Sequence, residues 1–110
     1  MKGYFQLASN AAGHFTFNLK AGNHEVILTS QVYKSKQDAL EGIESVRMNS
    51  PVAARFQRKI AKDNSPYFVL LAANGQTIGK SEMYSENAAM ENGIKSVMAN
   101  GLTTFVKGLD

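Results

Sequence analysis

A chain of 110 residues, 44% hydrophobic and 19% charged, has the length of one domain and the composition of a soluble globule with one core. The absence of cysteine excludes thiol catalysis, disulfides and thiolate metal sites and points to the cytoplasm. No apolar run approaches the roughly 20 residues a membrane span needs, and a net charge of +3 permits an anionic partner without demanding one.

The opening stretch MKGYFQLASNAAGHF holds no apolar block of signal-peptide length, so the chain reads as mature protein. Phe5 and Leu7 alternate with Tyr4 and Gln6, the period of a half-buried strand. Asn10-Ala11-Ala12-Gly13 is a turn, after which Phe15, Phe17, Leu19 and Ala21 alternate with His14, Thr16, Asn18 and Lys20 in a second strand. Gly22-Asn23-His24 turns the chain into a third strand from Glu25 to Ser30. There Ile27 faces Leu19 only if the loop carries three residues or a bulge.

The period then becomes helical. Ser35 with Asp38 resembles a capping box, and Ala39, Ile43 and Val46 share one face with Gly42. A mid-helix glycine costs about 1 kcal/mol against alanine; close approach of the helix backbone to the sheet is the reason we assign to it. Asn49 tolerates a left-handed helix ending and Pro51 stops the helix. A closing strand is expected from Val52 to Lys59 or beyond, running without a linker into the next strand.

A shift of 51 positions aligns residues 5–49 with 56–100 without a gap, and about 14 of roughly 45 pairs are identical. The second copy repeats the Asn-containing hairpin turn at Asn74-Gly75, the strand Gln76 to Ser81 and the apolar helix face at Met90, Gly93, Ile94 and Val97. Ser85 is its cap candidate, Asn100 and Gly101 end its helix, and Leu102 to Leu109 is its closing strand. Each half is marginal as an independent unit, so the two are expected to share one core.

The strings FQLASNAAGHFTFNLKAGNHEVILTSQVYKSKQDALEGIESVRMN and YFVLLAANGQTIGKSEMYSENAAMENGIKSVMAN resemble the two copies of the YegP-like family of small bacterial proteins, a domain of unknown function. The Ser-x-x-Tyr step and the Gly-Ile-x-Ser-Val helix carry the resemblance across nearly the whole chain. It implies an α+β fold of two tandem β3-α-β units, about 1–54 and 55–110. These form a single antiparallel-rich sheet with two helices on one face and exchanged C-terminal strands. The second copy departs by placing Pro66 at Phe15 and Gly79 at Leu28. The resemblance brings no catalytic residues.

Chemistry is sparse. His14 and His24 sit at opposite ends of one strand without counterparts in the second copy, and nothing supplies the ligand set of a zinc site. Asp38, Glu41 and Glu44 share the outer side of a helix rather than lining a cleft. The recurring Ser30, Ser81, Ser45 and Ser96 have no base beside them and are expected to bond to strand and helix ends. No phosphate loop, dinucleotide fingerprint or zincin motif is present. The chain therefore reads as a non-enzymatic binding or protein-interaction module that needs no cofactor and is monomeric or weakly self-associating.

Two surfaces are candidates. Arg55, Arg58, Lys59 and Lys62 concentrate basic charge where a small anion or nucleic acid could dock, although period two sends half the cluster each way. In Phe68-Val69-Leu70-Leu71 both strand faces are apolar, so Val69 and Leu71 could meet a partner protein.

Overall fold

The computed structural model describes residues 3–108. Its elements run β1 (Tyr4–Ser9), β2 (Phe15–Lys20), β3 (Val26–Ser30), α1 (Lys36–Asn49), a 3-10 turn (Ala53–Arg55), β4 (Phe56–Ile60), β5 (Pro66–Leu71), β6 (Thr77–Lys80), α2 (Asn87–Asn100) and β7 (Val106–Lys107). The strands form one mixed sheet in the order β4-β5-β6-β3-β2-β1-β7. All neighbours are antiparallel except β7, which lies parallel on β1. The two halves meet at the sheet's centre, where β3 pairs with β6, Thr29 opposite Lys80 and Ser30 opposite Gly79, and again at its edge, where β7 lies on β1.

One apolar cluster joins both halves. Phe5, Leu7, Phe17 and Leu19 pack with Ala39, Ile43 and Val46 of α1, and with Phe56, Phe68, Leu70, Met90, Ile94 and Val97 from the second half. Phe5 pairs with Leu19 and Leu7 with Phe17, so their side chains share the face that carries both helices. Phe17, Phe68, Leu19 and Leu70 are completely buried. Covering a phenylalanine or leucine side chain stabilises the fold by about 1.5–3 kcal/mol.

Repeated polar residues serve this frame. Ser30 Oγ accepts from the Phe17 amide at 2.8 Å and donates to the Gln31 carbonyl at 2.7 Å. Ser81 does the same for Phe68 and Glu82 at 3.0 and 2.8 Å. Each serine thus satisfies backbone groups where a strand leaves the ladder. Tyr33 then stacks on Phe17 and Tyr84 on Phe68, with interplanar angles of 11° in both halves. A Cβ on Gly42 would stand 2.7 Å from Tyr33 Cζ, and one on Gly93 2.7 Å from Tyr84 Cζ. The helix glycines therefore make room for a tyrosine ring wedged between helix and sheet, more than for the sheet itself.

Several local expectations are corrected. The loops close with three residues, His24 and Gly75 taking positive φ (71° and 85°), yet a bulge puts Leu28 rather than Ile27 opposite Leu19. Ser35 caps α1 through the Asp38 amide at 3.0 Å, but Glu86 and not Ser85 precedes α2, without a side-chain cap. Neither helix ends left-handed, since Ser50 and Gly101 have φ near −60° (−61° and −64°). Asn49 and Asn100 instead bond back to Ser45 and Ser96 and turn Oδ1 outward, to the Arg55 guanidinium and the Gly3 amide. The closing strand from Val52 is absent: residues 53–55 form the 3-10 turn, and β4 pairs with β5. At the other end the strand shrinks to Val106–Lys107, and Leu109 lies outside the described residues.

The departures between copies fall where equivalent residues meet each other. Leu28 and Gly79 occupy the same repeat position, and a Cβ on Gly79 would sit 3.0 Å from Leu28 Cγ. Ser50 and Gly101 do likewise, with a Gly101 Cβ 2.5 Å from that of Ser50. At a pseudo-twofold axis one side chain fills the space and its mate must give way.

Candidate functional site

The helix-free face of the sheet carries the charge. None of the seven strands contains Asp or Glu, while Lys20, Arg58, Lys59, Lys80 and Lys107 all lie in strands. Arg58 is on the helix side, across from Phe68. It is neutralised by Glu91 of α2 through contacts of 2.5 and 2.8 Å. That hydrogen bond holds the Glu91 carboxyl below the usual carboxylate range. The four lysines alternate with core residues and face away from the helices.

Register places two of them at the ends of one row across the sheet. Lys107 pairs with Gln6, Gln6 with Asn18, Asn18 with Thr29, and Thr29 with Lys80. Beyond Lys80 come Val69 and Gln57. Four inter-strand steps separate the two lysines, about 19 Å at roughly 4.8 Å per step. The side chains between them are amides and a hydroxyl, able to donate or accept. Tyrosines flank the row at both ends. Tyr4 lies beneath Lys107 (4.4 Å to the ring centroid) and Lys20 (5.9 Å), with its hydroxyl 2.9 Å from His24 Nδ1. Tyr67 lies beneath Lys80 at 6.0 Å and directly across from Lys59. Such cation–π contacts order the lysine stems while leaving the ammonium groups at the surface.

The residues singled out from sequence do not form one surface. Arg55 precedes β4 and is tied to Asn49 at 3.0 Å, Arg58 faces α2, Lys59 faces the opposite side, and Lys62 stands in the following turn. Of the four, Lys59 joins the lysine face. Val69 is on that face but only 5% exposed, and Leu71 is half-buried, so neither offers the open apolar patch that their spacing suggested. His14 precedes β2 and His24 follows it. Among the described residues no group of three or more His, Cys, Asp or Glu could hold a metal ion.

Lys20, Lys80 and Lys107 escaped the sequence reading because they are dispersed along the chain. The available signal was compositional: charge of one sign in every charged strand.

These features define a small α+β protein, a seven-stranded mixed sheet with two helices and a duplicated sequence, in which the repeated polar residues hold the frame. The chain belongs to the family described as Domain of unknown function (DUF1508), whose model matches it twice in tandem, at residues 10–57 and 61–107. A UPF0339 protein of Shewanella oneidensis is 55% identical over 109 residues, 99% of each chain. The UPF0339 protein YegP of Escherichia coli is 50% identical over 107 residues, 97% of each. The solution NMR structure of a UPF0339 protein from Shewanella oneidensis matches this fold with a TM-score of 0.91 at 55% identity, covering 97% of this chain and 91% of that one. The NMR structure of yegP from E. coli, a protein of unknown function, also gives 0.91, at 50% identity and 97% and 92% coverage.

Proposed function

We propose that the chain is a non-enzymatic binding module of the cytoplasm whose helix-free sheet face takes single-stranded nucleic acid. The row from Lys107 through Gln6, Asn18 and Thr29 to Lys80 supports this reading. Two cationic ends about 19 Å apart suit a linear polyanion lying across the strands, and the amides between them suit its polar groups. The partly exposed Tyr67 offers a ring for base stacking. The face contains no acidic strand residue to repel phosphate. We read the architecture as two repeat units, 1–54 and 55–110, in one domain, the first of three strands and a helix and the second closed by a fourth strand. Strand exchange runs in one direction, from the chain's end onto β1.

Fluorescence anisotropy with a labelled single-stranded oligonucleotide tests the function. Lys20, Lys80 and Lys107 acting on three phosphates predict a slope near −2 in log affinity against log salt, and Lys80→Gln or Lys107→Gln each reduces it by about 0.7. No binding at low salt, or a slope indifferent to both substitutions, overturns the reading. Arg55→Gln, away from the row, is expected to leave the slope unchanged.

A further inference from the structure

Strand β4 is the repeat equivalent of β1: Phe56-Gln57 stands where Phe5-Gln6 stands in the first half. The outer edge of β1 is covered by β7, with the Phe5 amide donating to the Phe105 carbonyl at 2.9 Å. The outer edge of β4 pairs with no strand among the described residues. We infer that this edge takes an extended acidic segment of a partner protein, parallel to β4, as the chain's own β7 lies on β1.

Backbone directions support it. The Ala61 amide bonds inward to the Ser65 carbonyl at 2.8 Å, and the Pro66 carbonyl points away from β4 to accept from Tyr84 at 2.9 Å. Ile60, opposite Pro66, therefore turns its N–H and C=O outward, and alternation gives Arg58 the same direction. Such a row of outward groups is what strand addition uses.

The edge also offers side-chain selectivity. A cavity of about 270 Å³ opens between β4 and the start of α2, with Ile60, Pro66 and Met90 in its wall. Ile60 is 63% exposed. An apolar residue of the added strand beside Ile60 would enter this space, much as Val106 faces α1 alongside Leu40 and Ile43. Lys59, on the other side of β4, and Lys62, just beyond it, are exposed and favour acidic residues at the alternate positions. A second copy fits poorly, because antiparallel β4–β4 pairing would bring the exposed Lys59 of one copy beside that of the other. This site borrows Lys59 from the lysine face but none of the residues of the row from Lys107 to Lys80, so either can fail without the other.

The test is a titration of the full chain with an alternating Val-Glu octapeptide amide, with Val-Lys as control, followed by calorimetry and by NMR of backbone amides. The acidic peptide is expected to bind, to shift and protect the Arg58 and Ile60 amides, and to survive Lys80→Gln and Lys107→Gln. Ile60→Pro removes one outward N–H at an edge position where proline is tolerated. It is expected to weaken binding by about tenfold, the effect of one hydrogen bond left unmade. If that variant fails to fold, amide protection in the unmodified chain decides. The inference is overturned by absence of binding, by equal binding of Val-Lys, by loss with the row substitutions, or by a dimer that already protects the Arg58 and Ile60 amides.

Discussion

Gly79→Ala is a sharp test of how the halves join, because two opposite effects compete. Alanine in a strand restricts the unfolded chain more than glycine does, which stabilises by about 0.4–1 kcal/mol where the backbone can accept it. Here the new Cβ would lie 2.9 Å from the Thr29 carbonyl oxygen and 3.0 and 3.2 Å from Leu28 Cγ and Cδ2. Thr29 is backbone of the strand facing Gly79, so β3 and β6 must separate at their short shared ladder. Overpacking of this kind costs about 1–3 kcal/mol. The net expectation is a loss of about 1–2 kcal/mol, a fall of roughly 5–15 °C in Tm for a domain of this length. Leu28→Ala alone leaves a cavity and costs about 2–5 kcal/mol. Together the two should cost less than their sum by about 0.5–2 kcal/mol, since the shortened side chain relieves part of the clash. Urea denaturation of the four proteins measures this cycle. Additivity within about 0.5 kcal/mol, or a stabilised Gly79→Ala, would refute the complementarity of Leu28 and Gly79.

Gly42→Ala and Gly93→Ala should each destabilise by up to about 2 kcal/mol net, overpacking of about 1–3 kcal/mol against Tyr33 or Tyr84 less the roughly 1 kcal/mol by which alanine is the better helix residue, read by thermal melting; a raised Tm in both would remove the tyrosine wedge from the account. Ser30→Ala and Ser81→Ala should each cost about 1–3 kcal/mol by leaving the Phe17 or Phe68 amide buried and unpaired, again by denaturation. The hydroxyls of Tyr33 and Tyr84 have pKa values raised above the usual 10.0, chiefly by burial and secondarily by Asp38 for Tyr33 and by Glu82 and Glu25 for Tyr84. Their protonated forms are favoured in the fold, so the unfolded chain loses these protons first. This contribution is whole below pH 10 and is lost as pH rises through the folded values. A stability profile from pH 8 to 11 should fall beyond pH 10, less steeply in Tyr33→Phe; a profile unaffected by that substitution contradicts the assignment.

What sequence made legible was local. The two-residue period of Phe17 and Leu19, the helix face of Ile43 and Val46, the Ser35 cap and the bonding roles of Ser30 and Ser81 depend on neighbours within one half. The expected strand from Val52 begins only at Phe56, because Ala53-Ala54-Arg55 favour a helical turn over an extended chain and coil before Phe56 joins β5. Val69 was read as a possible contact because its run is apolar, whereas the fold buries it between Gln57 and Lys80 on the neighbouring strands. The lysine row needed strand order. Lys80 and Lys107 align with Asn18 only through the β3–β6 and β1–β7 pairings, which join residues far apart in the chain. Likewise the exchange of Leu28 for Gly79 has its reason in the contact between the two positions, which exists only once the halves are joined.

The most direct measurement of the binding face is a backbone-amide NMR titration with a short single-stranded oligonucleotide at low salt. The lysine row predicts the largest shifts at Gln6, Asn18, Thr29, Lys80 and Lys107, with α1 and α2 little changed. Shifts centred on the helices, or confined to residues 55–62, would contradict it.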